Sequence, residues 1–185
     1  MTGPRSLARP AARPAWAALA ALGLSACSTA RPVARPAADP GRTVYSVGAL
    51  SFEAPAGWTA QGDSRKVKLE APDGRATLEA RAAAVAGPDA ACLADAERAL
   101  ARGADALSGV RRHGSTFAGR KAVAQEADAT GWHGWAWATC AGGEQYRVWL
   151  AARTPVDRER LEVQRLLVAT ARLAPAGDAP GKGPP

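Results

Sequence analysis

The sequence predicts an α+β domain: an antiparallel sheet of about six or seven strands with helices on both faces. Three observations carry this. Residues 66–82 and 110–152 read as short alternating strands joined by tight turns. Residues 89–107 and 154–170 switch to helical spacing. One helix interrupts the strand series and the other closes it, an order that suits helices packed on an antiparallel sheet rather than βαβ units.

The elements follow in order. Val44 to Glu53 alternates weakly and ends at Ala54-Pro55, one or two short strands before a turn at Ala56-Gly57-Trp58. Lys66 to Glu70 and Ala76 to Ala82 flank Pro72-Asp73-Gly74, a strong turn signal, and form a hairpin. Over 89–107, Cys92, Ala96, Ala99, Leu100, Gly103 and Leu107 fall on one helical stripe, with Asp95, Arg98 and Arg102 opposite. Cys92 therefore faces inward, where a helix meets a sheet.

Strands are expected at Val110–Phe117, Ala122–Ala127, Trp132–Cys140 and Gln145–Ala152. Gly142-Gly143 makes the last connection a two-residue hairpin, since glycine takes positive φ without a Cβ clash. Pairing across it sets Ala141 opposite Glu144, Trp137 opposite Val148 and Trp135 opposite Leu150. Period-two alternation puts those apolar residues on one face, and Ala136, Ala138, Cys140 and Trp149 on the other. Both faces are apolar, so both are expected to be covered. The closing helix has Thr154 as N-cap, Pro155 at its first position and Asp157 near its positive end. Val156, Val163, Leu166, Leu167 and Thr170 form its core stripe, and Leu161 and Val168 widen it into a broad buried face.

The N-terminus reads as a secretion signal. Arg5, Arg9 and Arg13 precede the apolar run AWAALAALGL, which ends at small residues. That run is about half the roughly 20 residues that span a bilayer. Leu24-Ser25-Ala26-Cys27 resembles a bacterial lipobox, which implies cleavage before Cys27 and acylation of its sulfur and its new amino group. Several acyl chains anchor stably where one is marginal, at about 0.8 kcal/mol per buried methylene. The alternative is an ordinary secreted protein with a cysteine near its cleavage site. The expected divisions are 1–26 signal peptide, 27–43 lipidated cysteine with a Pro/Ala/Arg-rich tether, 44–173 folded domain and 174–185 disordered tail. Ser28, rather than Asp, follows the cysteine. In enteric-type sorting this favours the outer membrane, facing the periplasm, over the inner membrane.

The formal charge of +7 is reduced once it is located. Three charges leave with the signal. Arg31, Arg35 and Arg42 against Asp39 leave two more in the tether, so the domain keeps about +2, with acids and bases interspersed. Nucleic-acid binding needs a concentrated basic face, and this chain is expected to lack one. The expected partners are the membrane, through the anchor, and an envelope protein. With Cys27 acylated, Cys92 and Cys140 remain in an oxidising compartment, which favours a disulfide over two separate buried thiols.

Phe52-x-Ala54-Pro55-x-Gly57-Trp58, the Leu69-x-x-Pro72-x-Gly74 hairpin and Gly119-Arg120-Lys121-Ala122, with a closing helix, resemble the PsbP/DcrB-like domain over residues 45–173. The resemblance implies a six- or seven-stranded antiparallel sheet between helices and a non-catalytic role. Many bacterial members are envelope lipoproteins, and the group carries no catalytic set to transfer.

No motif supplies chemistry. His113-Gly114-Ser115 lacks the G-x-S-x-G turn that poses a hydrolase nucleophile. His113, His133, Cys92 and Cys140 show no metal-ligand spacing, and no Gly-rich phosphate loop is present, so no metal or cofactor is expected. Trp132, Trp135, Trp137 and Trp149 with Tyr146 form either core or a stacking platform for sugar rings. Parity puts Trp135 and Trp137 in the core and leaves Trp132, near a strand start, as the candidate ligand contact. The expected function is a non-enzymatic, lipid-anchored envelope module for interaction or assembly. The alternatives are a cell-wall glycan binder that uses exposed Trp and an envelope hydrolase.

Overall fold

The computed structural model describes residues 32–104 and 106–174. The lipobox with Cys27, the signal peptide and the tail beyond Ala174 lie outside them. The described residues form eleven strands: β1 (Val33–Pro36), β2 (Arg42–Val47), β3 (Leu50–Pro55), β4 (Thr59–Gly62), β5 (Lys66–Glu70), β6 (Ala76–Ala84), β7 (Ser108–Phe117), β8 (Arg120–Ala129), β9 (Trp132–Ala141), β10 (Glu144–Arg153) and β11 (Arg172–Leu173). Helix α1 (Asp89–Arg102) lies between β6 and β7, and α2 (Arg158–Thr170) between β10 and β11. The fold is α+β, with all strand pairs antiparallel.

The strands make two sheets. A seven-stranded sheet runs β4-β5-β6-β10-β9-β8-β7, and a four-stranded sheet runs β1-β2-β3-β11. Alternation decides which face each residue takes: β3 and β5 bury every second side chain. Val67, Leu69, Leu78, Trp137, Val148 and Leu150 line the inner face of the large sheet. They pack in one core with Val47, Leu50 and Phe52 of the small sheet and with Val163 and Leu167 of α2. Thr170 accepts the Glu53 amide at 3.0 Å, which ties α2 to β3. Helix α1 lies on the outer face over β8, β9 and β10.

Gly142 and Gly143 stand at φ 62° and 78° in the β9–β10 turn, and the pairs Ala141–Glu144, Trp137–Val148 and Trp135–Leu150 all form as the sequence predicts. At Gly48, φ is 56° and an added Cβ would lie 2.9 Å from Glu144 Oε2 and 3.1 Å from Ala82 Cβ. Glycine is required there because the β2–β3 turn sits directly on the large sheet. Tyr146 secures the same contact: its hydroxyl accepts the Ala49 amide at 3.4 Å and donates to Glu144, which Arg65 pairs.

Four expectations are corrected. The tether expected over 27–43 contains a strand, β1, held to β2 by backbone pairing at the sheet edge. All four of its side chains are exposed, so no hydrophobic alternation marks it, and Pro36 is tolerated at an edge. The closing helix starts three residues later than Thr154 predicts. The Thr154 amide donates to Gly131 O as the chain leaves the sheet, and Asp157 caps instead by accepting the Arg160 amide at 3.0 Å. Leu161 and Val168 are exposed rather than part of a broad buried face, because the buried stripe runs through Arg160, Val163 and Leu167. Helix α1 ends at Arg102 rather than 107, and β4 and β11 are additional edge strands too short to show a pattern.

Candidate functional site

The outer face of the large sheet holds the most unusual arrangement in the molecule. Lys66 pairs with Arg81, and Arg81 with Arg147, so three cations stand side by side on β5, β6 and β10. The neighbouring row sets Lys68 opposite Glu79 and Glu79 opposite Trp149. Strand parity explains the placement. Residues 66, 68, 79, 81, 147 and 149 alternate with the core residues Val67, Ala80, Val148 and Leu150, so all point away from the core.

Glu79 partly neutralises the row, lying 3.1 Å from Lys66 Nζ and pairing Arg81. Arg147 has no carboxylate partner among the described residues; its Nε donates to the neutral side chain of Gln145. Burial, then the guanidinium groups of Arg81 and Arg102, push the Arg147 pKa below its ordinary value. Like charges directly opposite in a sheet destabilise it.

The row joins the disulfide end of the sheet through one residue. Cys92 of α1 and Cys140 of β9 are bonded, with Cα atoms 6.2 Å apart. Gln145, buried beside them, donates through Nε2 to Cys92 O at 3.2 Å and accepts from Arg147 through Oε1. The pair Cys92–Cys140 thus matches the sequence expectation and fixes α1 over one end of the outer face.

The tryptophans divide between faces. Trp135 and Trp137 are core, each 6 % exposed, and Phe117 stacks on Trp137 at 5.6 Å between centroids. Trp149 and Trp132 lie on the outer face and are half-buried. Each meets an arginine: Arg81 lies 5.3 Å from the centre of the Trp149 ring, and Arg153 lies 4.8 Å from that of Trp132. Such contacts contribute about 0.5–1 kcal/mol at exposed sites. Small residues (Ala136, Ala151 and Gly134) separate the two rings, leaving a low floor between them.

A cleft of about 170 Å³ opens at the other side of the large sheet, between β7–β9 and α2, lined by His113, Ser115, Glu126, Trp137, Gln164 and Val168 among others. His113 and Ser115 lie on one face but share no hydrogen bond, and Glu126 is paired at 2.9 Å by Arg111, so no nucleophile is activated there. His133 donates from Nδ1 to Asp128 Oδ1 at 2.7 Å, and its ring packs edge-on against Trp135. Among the described residues, no three of His, Cys, Asp or Glu converge as a metal site would require.

Sequence reading alone selects Trp132, counts Trp149 in the aromatic cluster and misses Lys66, Arg81 and Arg147. Their parity within each strand was readable. Their union was not, because the β6–β10 pairing joins segments separated by α1 and three strands.

No protein-family model matches the chain, and no curated protein matches it. Among solved structures, the solution structure of cyanobacterial PsbP (CyanoP) from Synechocystis sp. PCC 6803 is similar at 13% identity, TM-score 0.47, covering 82% of this chain and 99% of that one. A crystal structure of a chain from Bacteroides thetaiotaomicron VPI-5482 is similar at 14% identity, TM-score 0.43, covering 70% of this chain. This chain spans 47% of that one.

Proposed function

We propose that this chain is a lipid-anchored, non-catalytic interaction module of the cell envelope, of the PsbP/DcrB-like kind that its Phe52–Trp58 and Leu69–Gly74 motifs suggest. The observation that carries the interaction role is the Lys66–Arg81–Arg147 row, like charges held together on an exposed face with no reacting group among them. Leu24-Ser25-Ala26-Cys27 supports the anchor, and the Cys92–Cys140 bond suits an oxidising compartment.

Where β1 begins changes how the anchor works. Only residues 28–32 separate Cys27 from Val33, so the fold stands within about 20 Å of the lipid at full extension. The domain is held against the bilayer surface rather than carried on a long tether. Ser28 after Cys27 supports the periplasmic side of the outer membrane.

Labelling of the expressing bacteria with an alkyne fatty acid tests this. The chain takes up label in the membrane fraction, and Cys27→Ala abolishes both uptake and fractionation; label that survives the substitution contradicts the anchor. A second reading, a module that binds cell-wall glycan, is favoured by the half-buried Trp132 and Trp149 rings on the outer face.

A further inference from the structure

We propose that the Lys66–Arg81–Arg147 row and the Trp149 ring beside it bind a carboxylate-bearing glycan strand. The proposal names the partner of the face described above and rests on reading that face as an interaction surface. Three features of the site select this class.

The first is charge. Lys66, Lys68, Arg81 and Arg147 share the outer face of three adjacent strands with Glu79 and Glu70 as the acids, and Arg102 adds a further cation from the end of α1. Strands lie about 4.8 Å apart, so the three cations of one row are regularly spaced over about 10 Å. That geometry suits an anion repeated along a chain better than a single ion. Guanidinium groups also take carboxylates bidentately.

The second is shape. The face is a pleated sheet surface with the small residues Gly134, Ala136 and Ala151 as its floor. The indole of Trp149 is a flat apolar plate set directly opposite Glu79, next to the row. A ligand that fits both parts has flat C–H faces and carboxylates at intervals, which describes an acidic polysaccharide. Single-stranded nucleic acid has stacking faces and anions too. On the reading of an anchored envelope protein, which the disulfide suits, this face lies outside the cytoplasm, and that favours the glycan.

The third is direction, and this part rests on the lipid anchor. The short link from Cys27 enters β1, in the small sheet, which covers the inner face of the large one. The cation row is on the opposite face. An anchor at this end leaves the row free to face away from the bilayer, toward polymers in the space beyond.

The test is a set of binding titrations with the full chain in detergent. The probes are polygalacturonate, its fully methyl-esterified form, poly-glutamate and a single-stranded oligodeoxynucleotide. Polygalacturonate is expected to bind at least tenfold more tightly than each of the others. Arg147→Glu should weaken it at least tenfold, and Trp149→Ala about fivefold, with circular dichroism unchanged. Equal binding of esterified and acidic polymer, or binding untouched by Arg147→Glu, overturns the proposal. Poly-glutamate or the oligonucleotide matching polygalacturonate overturns the glycan assignment and leaves a general polyanion surface. An unlabelled chain that binds polygalacturonate refutes the anchor alone, and a lipidated chain that does not bind refutes the glycan alone.

Discussion

Arg81 and Arg147 stand directly opposite each other on β6 and β10, with Lys66 opposite Arg81 on β5. Cross-strand neighbours contribute up to about 1 kcal/mol, and like charges reverse the sign. Glu79 pairs with both Lys66 and Arg81 and so offsets one of their two charges, and Arg147 has a neutral partner. The fold thus keeps an arrangement that cross-strand electrostatics does not favour.

Removing that repulsion should stabilise the domain. Arg147→Gln is expected to raise unfolding free energy by about 0.5 kcal/mol, read from the urea midpoint at constant m-value. A loss of stability would show that Arg147 is held for its packing, and would remove the reason for calling the row functional.

The disulfide has a larger effect. Cys92 and Cys140 are 48 residues apart in sequence, and closing that loop contributes about 4 kcal/mol in the chain-entropy model. The double variant Cys92→Ala with Cys140→Ala should lower stability by several kcal/mol and loosen α1, seen as faster amide exchange over 89–102. Unchanged exchange would mean that the Gln145–Cys92 hydrogen bond and the burial of Ala96 suffice to hold the helix.

The two classes of tryptophan should separate cleanly. Trp137→Ala removes a core ring stacked by Phe117 and is expected to cost about 3–5 kcal/mol. Trp149→Ala removes a half-buried ring and should cost about 1 kcal/mol, the scale of its contact with Arg81. Comparable losses at both positions would place Trp149 in the core and rule it out as a ligand contact.

The Glu144–Tyr146 pair contributes at both ends of the pH profile. Burial pushes the Glu144 carboxyl up, but the Tyr146 hydroxyl and Arg65 outweigh it and hold it below its ordinary value. A lowered folded pKa stabilises above the unfolded value, about 4.3, and this is lost as pH falls through the folded one. Burial and then Glu144 push Tyr146 up to about 12, so its contribution is complete below about pH 10 and is lost as pH rises toward 12. Thermal midpoints against pH should therefore drop more steeply below pH 4.5 for the parent than for Glu144→Gln, and more steeply above pH 10 than for Tyr146→Phe. Parallel profiles would contradict the assignment.

What the sequence disclosed follows the range of each interaction. The β9–β10 register was readable because Gly142-Gly143 fixes it within two residues, and Trp135 and Trp137 were placed in the core by parity alone. The Cys92–Cys140 bond was readable because few cysteines remain and both face the helix–sheet contact. Strand β1 was not: its four exposed residues are held by main-chain bonds that leave no side-chain signature. The cation row was least visible. Lys66 and Arg81 meet through the β5–β6 hairpin, but Arg147 arrives only when β10 inserts between β6 and β9. In the linear sequence these charges are diluted among acids, so a net of about +2 hides a basic face.

The most direct test of the account is the intact mass of the chain extracted from membranes without reductant. It should equal residues 27–185 bearing diacylglycerol, with or without the N-terminal acyl group, less two hydrogens for the Cys92–Cys140 bond. A chain of unmodified mass, or one that begins after Cys27, would contradict the lipid-anchored module at its base.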